Sequence, residues 1–291
     1  MSRIRADFLL LLTALIWGGA FVAQKNAFSN VGACTFVAAR FFLSALLVLP
    51  LAVKEYRRIC YIGNISEMVI VCVAFCMAVL LQQFGIGKTS VAHAGFLTGL
   101  YVLFVPLICT FIYKQKLSGW IFPAALLSLG GTWLLSSNNT GEFSYGDMLI
   151  FFCAICFALQ VTLVGRIMGR IKSPFCLSFI QYATVASVSA IGAFAFEHPT
   201  TETLQAAVLP IIYAGAISGG IAYTLQMVAQ QYAPASDSAI ILSSEAIFAA
   251  IAGAWLLGEH LTSHQYFGCG LITFAIILTE FAPHIFKKNI M

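Results

Sequence analysis

The third apolar stretch of the chain, residues 67–86, reads EMVIVCVAFCMAVLLQQFGI, and its only charged residue is Glu67 at the start. A helix needs about 20 predominantly apolar residues to cross roughly 30 Å of hydrocarbon. This stretch has that length, and its polar side chains are confined to its two ends. It therefore predicts a helix that spans a membrane.

The remainder of the chain repeats this pattern. Short polar connections, such as Lys54-Glu55-Tyr56-Arg57-Arg58, separate the apolar stretches, and none is long enough to form a soluble domain. The sequence therefore predicts an all-α, polytopic membrane protein with ten transmembrane helices. The ten stretches are 6–25, 33–53, 67–86, 91–113, 118–136, 146–168, 174–196, 207–232, 235–257 and 263–282.

The composition excludes a soluble fold. Hydrophobic residues make up 60% of the 291 residues and charged residues only 9%, against about 25% charged in ordinary globular proteins. A water-exposed surface cannot be covered with so few charges. Disordered chains and secreted disulfide scaffolds are excluded for the same reason.

Basic residues are divided unevenly between the two ends of the predicted helices. If the predicted helices cross the membrane in alternating directions, the N-terminus, every second connection and the C-terminus lie on the same side. Twelve of the 15 Lys and Arg residues fall on that side, here called the basic face. The opposite face has only Lys25 and Lys88, and Arg40 lies within a span. Because basic residues are retained on the cytoplasmic side of a membrane, we expect both termini to be cytoplasmic.

The two halves of the chain match weakly when one is shifted by 144 residues. Leu81-Gln82 then falls on Leu225-Gln226 and Phe104 on Phe248, while a shift of 140 places Asp7 on Asp147. The pattern predicts two repeats of five helices, 1–136 and 146–282. An odd number of helices inverts the second repeat in the membrane, which is the architecture of many secondary transporters.

Polar residues recur on one face of the fourth and ninth helices. His93 and Tyr101 share a face of the fourth helix, and their repeat equivalents are Asp237 and Glu245. Ionisable side chains within a span are costly and usually face a cavity or a partner. We expect this face to line a central path, with Tyr101 donating a hydrogen bond to Glu245. The alternative is a hydrogen-bonded network that only holds the two halves together.

Other side chains are candidates for the same path. Gln82 and Gln226 are repeat equivalents, and two amides would suit a polar or zwitterionic substrate. Trp17 and Tyr223 could form apolar walls, and Arg40 could bind a substrate carboxylate. Each of these residues could instead only stabilise the fold. Amides form hydrogen bonds between helices, aromatic rings pack against neighbours, and an arginine pairs with nearby carbonyl or carboxylate groups.

The chain resembles the drug/metabolite transporter superfamily, and within it the EamA-type carriers with ten helices. The resemblance covers almost the whole chain, with Ala246 where the family usually has proline and His260 where Arg or Lys is common. The motifs that carry it are LIWGGAF at 15–21, RF at 40–41, GFLTGLYV at 95–102, PL at 106–107, LSSEAIFAA at 242–250 and WLLGEHLT at 255–262.

The resemblance implies a secondary transporter of small organic metabolites such as amino acids, working by alternating access. We expect export across the inner membrane, driven by the proton gradient or by the substrate's own gradient. Ser244 and Glu245, within the strongest motif, are further candidates for the transport path. Proton coupling would involve Glu245, Asp237 or His93. We expect no cofactor, no metal and no nucleic-acid partner; the partners are the substrate and the lipid bilayer, and the chain is compatible with a monomer.

Two other classes of function remain open on the sequence. An intramembrane enzyme could use Ser218 or the cluster of Glu259, His260 and His264, although this cluster belongs to a connection between helices. A passive channel is the other, and it is disfavoured by the inverted repeat.

Overall fold

A computed structural model describes residues 1–28, 30–59, 65–89, 91–136, 144–257 and 262–287. The side chains of residues 56–59, 91–93, 253–257 and 280–287 lie outside this description. Helices account for most of the described residues, and none of them is in a strand, which confirms the predicted all-helical class.

Fourteen α-helices and three π-helical segments follow one another along the described ranges. The first seven helices are α1 (Arg3–Phe28), α2 (Ala33–Ile59), α3 (Ile65–Ile86), α4 (Val91–Gly99), α5 (Tyr101–Leu107), α6 (Ile121–Ser136) and α7 (Tyr145–Ile171). The last seven are α8 (Pro174–Gly192), α9 (Thr201–Ala206), α10 (Val208–Ile212), α11 (Thr224–Ala229), α12 (Ala235–Leu242), α13 (Glu245–Leu257) and α14 (Ser263–Lys287). The π-helical segments are Ile108–Ile112, Ala193–Glu197 and Tyr213–Tyr223.

Eight helical stretches among the described residues are long and apolar enough to cross a membrane. They are Arg3–Phe28, Ala33–Glu55, Ile65–Ile86, Ala94–Ile112, Tyr145–Ile171, Pro174–Glu197, Val208–Ala229 and Ala235–Ala252. These correspond to eight of the ten predicted spans. The fifth predicted span is the shorter apolar helix Ile121–Ser136, and the tenth coincides with α14.

Large apolar side chains cover much of the exterior. Phe196 is 82% exposed, Phe111 73% and Phe194 70%. A soluble protein rarely leaves so many large apolar side chains in water, because each would gain free energy from burial. The exterior is therefore suited to contact with lipid.

Long antiparallel helix pairs form the interior. α2 packs along α8, α6 along α14, and α3 along α7. In the second of these pairs, the backbones meet at Gly131 and Gly268, where a Cβ atom on either glycine would lie 2.6 Å from the other glycine's carbonyl oxygen. α2 and α8 are the second and seventh predicted spans, and α6 and α14 are the fifth and tenth. Each of these two pairs thus joins equivalent helices of the predicted repeats.

The fourth and ninth predicted spans are both interrupted in the middle. The first break lies at Leu100, between α4 and α5, and the second at Ser243-Ser244, between α12 and α13. The Leu100 amide donates to the carbonyl of Leu97, and the Ser244 amide donates to that of Ile241, at the equivalent position after a shift of 144 residues.

The serine side chains explain the second break. The Ser243 hydroxyl donates to the carbonyl of Ile240 at 2.6 Å, and the Ser244 hydroxyl donates to that of Ile241 at 2.7 Å. Such bonds compete with the regular helical ladder. The ninth span is therefore interrupted even though Ala246 replaces the proline that is usual in the resembling family.

Glycines four residues apart, at positions 95 and 99 and at positions 215 and 219, predict that helices approach each other closely there. A Cβ atom on Gly215 would lie 2.7 Å from the Arg40 carbonyl, and one on Gly219 would lie 2.2 Å from the Ser44 hydroxyl. These glycines let the π-helical segment Tyr213–Tyr223 pack against α2. The prediction was wrong for Gly95, because nothing lies within 4 Å of its Cβ position.

Candidate functional site

A buried cavity lies at the centre of the bundle, next to both helix breaks. Its free volume of about 30 Å³ is enough for a few water molecules but not for a metabolite. Its walls are formed by Trp17, Ala20, Phe21, Gln24, Arg40, Gln82, Thr98, Tyr101, Phe157, Gln160, Val161, Ala214, Ser218, Tyr223 and Glu245.

Aromatic rings form the apolar part of the wall. The ring centroids of Trp17 and Tyr223 are 4.5 Å apart, and the rings of Phe157 and Tyr223 are stacked at 6.5 Å. The Trp17 indole donates a 3.3 Å hydrogen bond to the carbonyl of Ser218, within the π-helical segment. The structure thus places Trp17 and Tyr223 side by side in the cavity, where an apolar wall was expected.

Arg40 is the cation of the cavity. Its side chain is almost fully buried, and the guanidinium lies over the rings of Phe36 at 5.4 Å and Phe41 at 4.8 Å. Its Nε and Nη2 atoms have no hydrogen-bond partner among the described residues. Because guanidinium groups bind carboxylates through such paired donors, Arg40 is suited to an anionic group of a ligand.

Glu245 is the acid of the cavity, and it begins the half-helix α13. It is 4% exposed, and its Oε1 atom has no partner in the described part of the chain. An isolated buried carboxylate is unstable unless it binds a proton or a cation. Within the described residues, Glu245 and Arg40 do not form an ion pair with each other, so both charges remain available to a ligand.

The predicted hydrogen bond between Tyr101 and Glu245 is absent from the described structure. Both side chains line the cavity, but the Tyr101 hydroxyl has no hydrogen-bond partner among the described residues. These two repeat equivalents line the same cavity, but their side chains do not form a hydrogen bond with each other. Tyr101 is therefore a further unpaired polar group facing the same space.

Sequence reasoning missed two amides in the wall, Gln24 and Gln160. The Oε1 atoms of both are buried and have no partner among described residues. The Gln160 amide nitrogen donates to Gln181 Oε1 at 3.4 Å, so only its carbonyl oxygen is left without a described partner. The 140-residue shift that aligns Asp7 with Asp147 also aligns Trp17 with Phe157 and Ala20 with Gln160, and this signal could have found Gln160.

Gln82 lines the cavity, whereas its repeat equivalent Gln226 does not. Gln226 donates to Gln230 Oε1 at 3.1 Å, and Gln230 donates to the carbonyl of Val161 at 3.0 Å. The residue equivalent to Gln230 in the first half is Ile86, which offers no side-chain partner. Gln82 is consequently left facing the cavity, while Gln226 joins a network between helices.

Two other predicted site residues, Ser244 and Asp237, do not contribute to the described cavity wall. Ser244 is buried and bonds to its own helix, as described above, and Asp237 lies at the basic face, where its Oδ2 atom is 2.9 Å from Arg3 Nη2. The His93 side chain lies outside the described residues.

Of the residues of the two enzyme alternatives, the structure describes Ser218 and His264. Ser218 lies in the cavity wall, while His264 lies at the start of α14, and Glu259 and His260 are outside the described residues. Among the residues that the structure describes, there is no group of three His, Cys, Asp or Glu side chains arranged to bind a metal.

Polar ties close the bundle at both ends. At the basic face, Arg3 contacts Asp7 at 2.8 Å and Asp237 at 2.9 Å, joining α1 to α12. At the opposite face, Lys25 donates to the carbonyls of Ile86 and Thr89, each at 2.8 Å. Asp147, the repeat equivalent of Asp7, accepts a hydrogen bond from Thr89 at that face.

Comparison with known proteins agrees with this architecture. The sequence profile of the EamA-like transporter family matches residues 4–137 and again residues 144–281. An uncharacterized transporter of Archaeoglobus fulgidus is 31% identical over 281 residues, which are 96% of this chain and 87% of that protein. The uncharacterized transporter YwfM of Bacillus subtilis is 24% identical over 94% of this chain and 93% of its own length.

A solved crystal structure superimposes on this fold with a TM-score of 0.80, covering 95% of this chain and 96% of that one. Its sequence identity is 16%, so the likeness concerns the fold alone. The apolar helices around a central polar cavity define the class of protein as a multi-pass membrane transporter. The chain belongs to the EamA-like transporter family, a group within the drug/metabolite transporters.

Proposed function

We propose that this protein is a secondary carrier that exports a small zwitterionic metabolite, such as an amino acid, by alternating access. The observation that supports it is the joint presence of Arg40 and Glu245 in one buried cavity, each with an unpaired polar atom among the described residues. The guanidinium would bind the carboxylate of the substrate and Glu245 its ammonium group. Trp17 and Tyr223 would contact its apolar part.

The proposed architecture is a ten-helix bundle made of two inverted repeats, 1–136 and 146–282. Three observations support it: the double match of the family profile, the equivalent breaks before Tyr101 and Glu245, and the pairing of equivalent helices. In carriers of this design, the substrate site lies between the repeats at discontinuous helices. The central cavity has that location.

The proposed location is the inner membrane, with both termini in the cytoplasm. The support is the excess of twelve Lys and Arg residues on the basic face over two on the opposite face. Substrate would then enter from the basic face and leave at the opposite one.

Glu245 would couple transport to protons. No described cation forms an ion pair with Glu245, so a proton is the partner that would stabilise it in an apolar environment. A substrate ammonium group would displace that proton. Proton release and substrate binding would then occur at one side chain.

A substrate screen in proteoliposomes tests the proposed function. The twenty amino acids are compared with analogues whose amino group is acetylated or whose carboxylate is esterified, each as a competitor of labelled uptake. We expect only compounds with both charges to compete. Glu245→Gln should reduce discrimination against acetylated analogues, and Arg40→Gln should reduce discrimination against esters. Equal competition by blocked and free compounds in the wild-type protein would refute the zwitterion site.

A further inference from the structure

The carboxylate of Glu197, at the end of the seventh predicted span, caps the beginning of α2. It accepts hydrogen bonds from the backbone amides of Cys34 at 2.8 Å and Thr35 at 2.7 Å, and from the Thr35 hydroxyl at 2.7 Å. A Cβ atom on Gly32 would lie 2.2 Å from this carboxylate, so only glycine leaves room for it. This cap lies at the face opposite the basic one.

The reverse arrangement occurs at the basic face. Glu55, near the end of α2, accepts hydrogen bonds from the amides of Phe175 at 3.0 Å and Cys176 at 3.3 Å, and from the Ser173 hydroxyl at 3.1 Å. A shift of 142 residues aligns Glu55 with Glu197 and Cys34 with Cys176. The same kind of helix cap is therefore present once in each half.

Both caps satisfy groups that the helices themselves cannot. The first amides of a helix have no partner within the helix, and their partial positive charge favours an anion. At a membrane boundary, such amides are costly to leave unpaired. Since each carboxylate stands on one helix and caps the other, any sliding of α2 along α8 would break both caps together.

We propose that Glu55 and Glu197 are positioning residues that hold α2 and α8 together as one rigid body. Arg40 belongs to this body, and α2 and α8 do not move relative to each other during the transport cycle. The inference rests on the proposed function, since it assigns the moving parts of the carrier. Alternating access then takes place at the interrupted spans and at the helices that face them, α1 and α7. Arg40 is a stationary binding group in this scheme.

A disulfide across this pair tests the proposal. A Cβ atom built on Gly192 lies 3.5 Å from the Cys34 Cβ atom, within the range for a disulfide. Gly192→Cys therefore allows a bond between α8 and the native Cys34. A comparison lock is Gly165→Cys with Ala235→Cys, whose Cβ atoms lie 3.1 Å apart between α7 and α12. The other native cysteines are replaced by serine or alanine.

The readout needs no substrate. Ala20→Cys places a thiol in the cavity wall, and a membrane-impermeant thiosulfonate reagent is applied from either face of sealed vesicles. We expect the bond between Cys34 and the new cysteine to leave labelling from both faces within twofold of the reduced protein. The lock between α7 and α12 should reduce labelling from the basic face at least tenfold.

Two outcomes would contradict these claims, and they can be told apart. If the bond to Cys34 abolishes labelling from one face and reduction restores it, α2 and α8 must move relative to each other, and the inference is overturned. If neither lock changes labelling from either face, the protein does not alternate, so the proposed function and the inference fail together.

A second measurement keeps the inference testable if the cysteine variant does not fold. Glu197→Gln removes the charge of one cap and retains its shape. We expect hydrogen exchange at the Cys34 and Thr35 amides to become at least tenfold faster, and labelling of the cavity thiol to slow. Exchange at the Phe175 and Cys176 amides of the other cap should also become faster, because sliding of α2 along α8 breaks both caps. Unchanged exchange at either cap would show that the caps do not hold the pair.

Discussion

At the scale of single residues, the cavity is defined by unsatisfied polar atoms. Buried polar groups in proteins are nearly always paired, yet Gln24, Arg40, Tyr101, Gln160 and Glu245 each have a polar atom without a described partner in this one space. Buried atoms without a described partner also occur outside the cavity, for example at Gln83, Gln181 and Gln226. What favours a ligand site is therefore the presence of a buried cation, Arg40, and a buried acid, Glu245, in one cavity without an ion pair between them.

Glu245→Gln tests the coupling role. The change keeps the shape and hydrogen bonding of the side chain but removes its charge. We expect folded protein whose transport is lost or no longer responds to pH, while Glu245→Ala should also weaken substrate binding. Uptake is measured in proteoliposomes at several external pH values. Normal, pH-responsive transport by Glu245→Gln would leave Glu245 with a structural role only.

Gln160→Leu tests whether the Gln160 amide, which the structure places in the cavity wall, forms a hydrogen bond with the substrate. Loss of one hydrogen-bond acceptor of about 1 kcal/mol should raise the KM of transport roughly fivefold. Gln226→Leu is the matched control, because Gln226 is equally buried but pairs with Gln230 outside the cavity wall. Its KM should remain unchanged. An equal rise in KM for both variants would show that Gln226 also belongs to the substrate site, as its repeat equivalence with Gln82 predicts.

Sequence reasoning found about half of the polar cavity residues, and the reason for the misses is local. The repeat pairs Tyr101 with Glu245, and both residues line the cavity. It failed to separate Gln82 from Gln226, because their orientation depends on the residue four positions later, Ile86 or Gln230. Pairing between individual side chains is not conserved by a repeat of low identity.

At the scale of helices, small residues decide which pairs approach closely. Gly18 in α1 meets Phe248 and Ala249 of α13, and Gly219 meets Ser44 of α2. The glycine spacing in the sequence predicted close contact equally for Gly95, which faces open space. The spacing of small residues thus indicates where contact is sterically allowed, while the neighbouring helix determines whether it occurs.

Gly219→Ala and Gly95→Ala form a matched pair that tests this packing. Each adds one methyl group, but only the first would place it against the Ser44 hydroxyl. We expect Gly219→Ala to destabilise the protein by about 1–3 kcal/mol, as overpacking does, and Gly95→Ala to have little effect. Thermal unfolding in detergent measures both. Equal melting temperatures for the two variants would contradict the packing of the π-helical segment on α2.

The breaks in the fourth and ninth spans were not predicted. Pro106 lies inside α5, whereas the interruption of the fourth span is at Leu100, where there is no proline. In the ninth helix the serine hydroxyls interrupt the ladder without any proline. Such competition between side chains and backbone depends on rotamers, which a sequence pattern does not specify.

At the scale of the whole molecule, composition and periodicity were sufficient to predict the helical class and eight of the spans. The inverted topology remains a prediction with a simple test. Reporter fusions after residues 60, 116 and 170 should be cytoplasmic, and those near 139 and 200 should be external, because basic residues cluster on one face. A fusion at 200 with cytoplasmic activity would break both the ten-span topology and the inverted repeat.

The central claim is that one site between two inverted repeats opens alternately to either face. Counterflow in proteoliposomes tests it most directly, with labelled substrate outside and unlabelled substrate inside. The account predicts that uptake saturates with concentration and is accelerated by internal substrate, because a loaded site returns faster than an empty one. A flux that rises linearly with concentration and ignores internal substrate would contradict it and identify a passive pore.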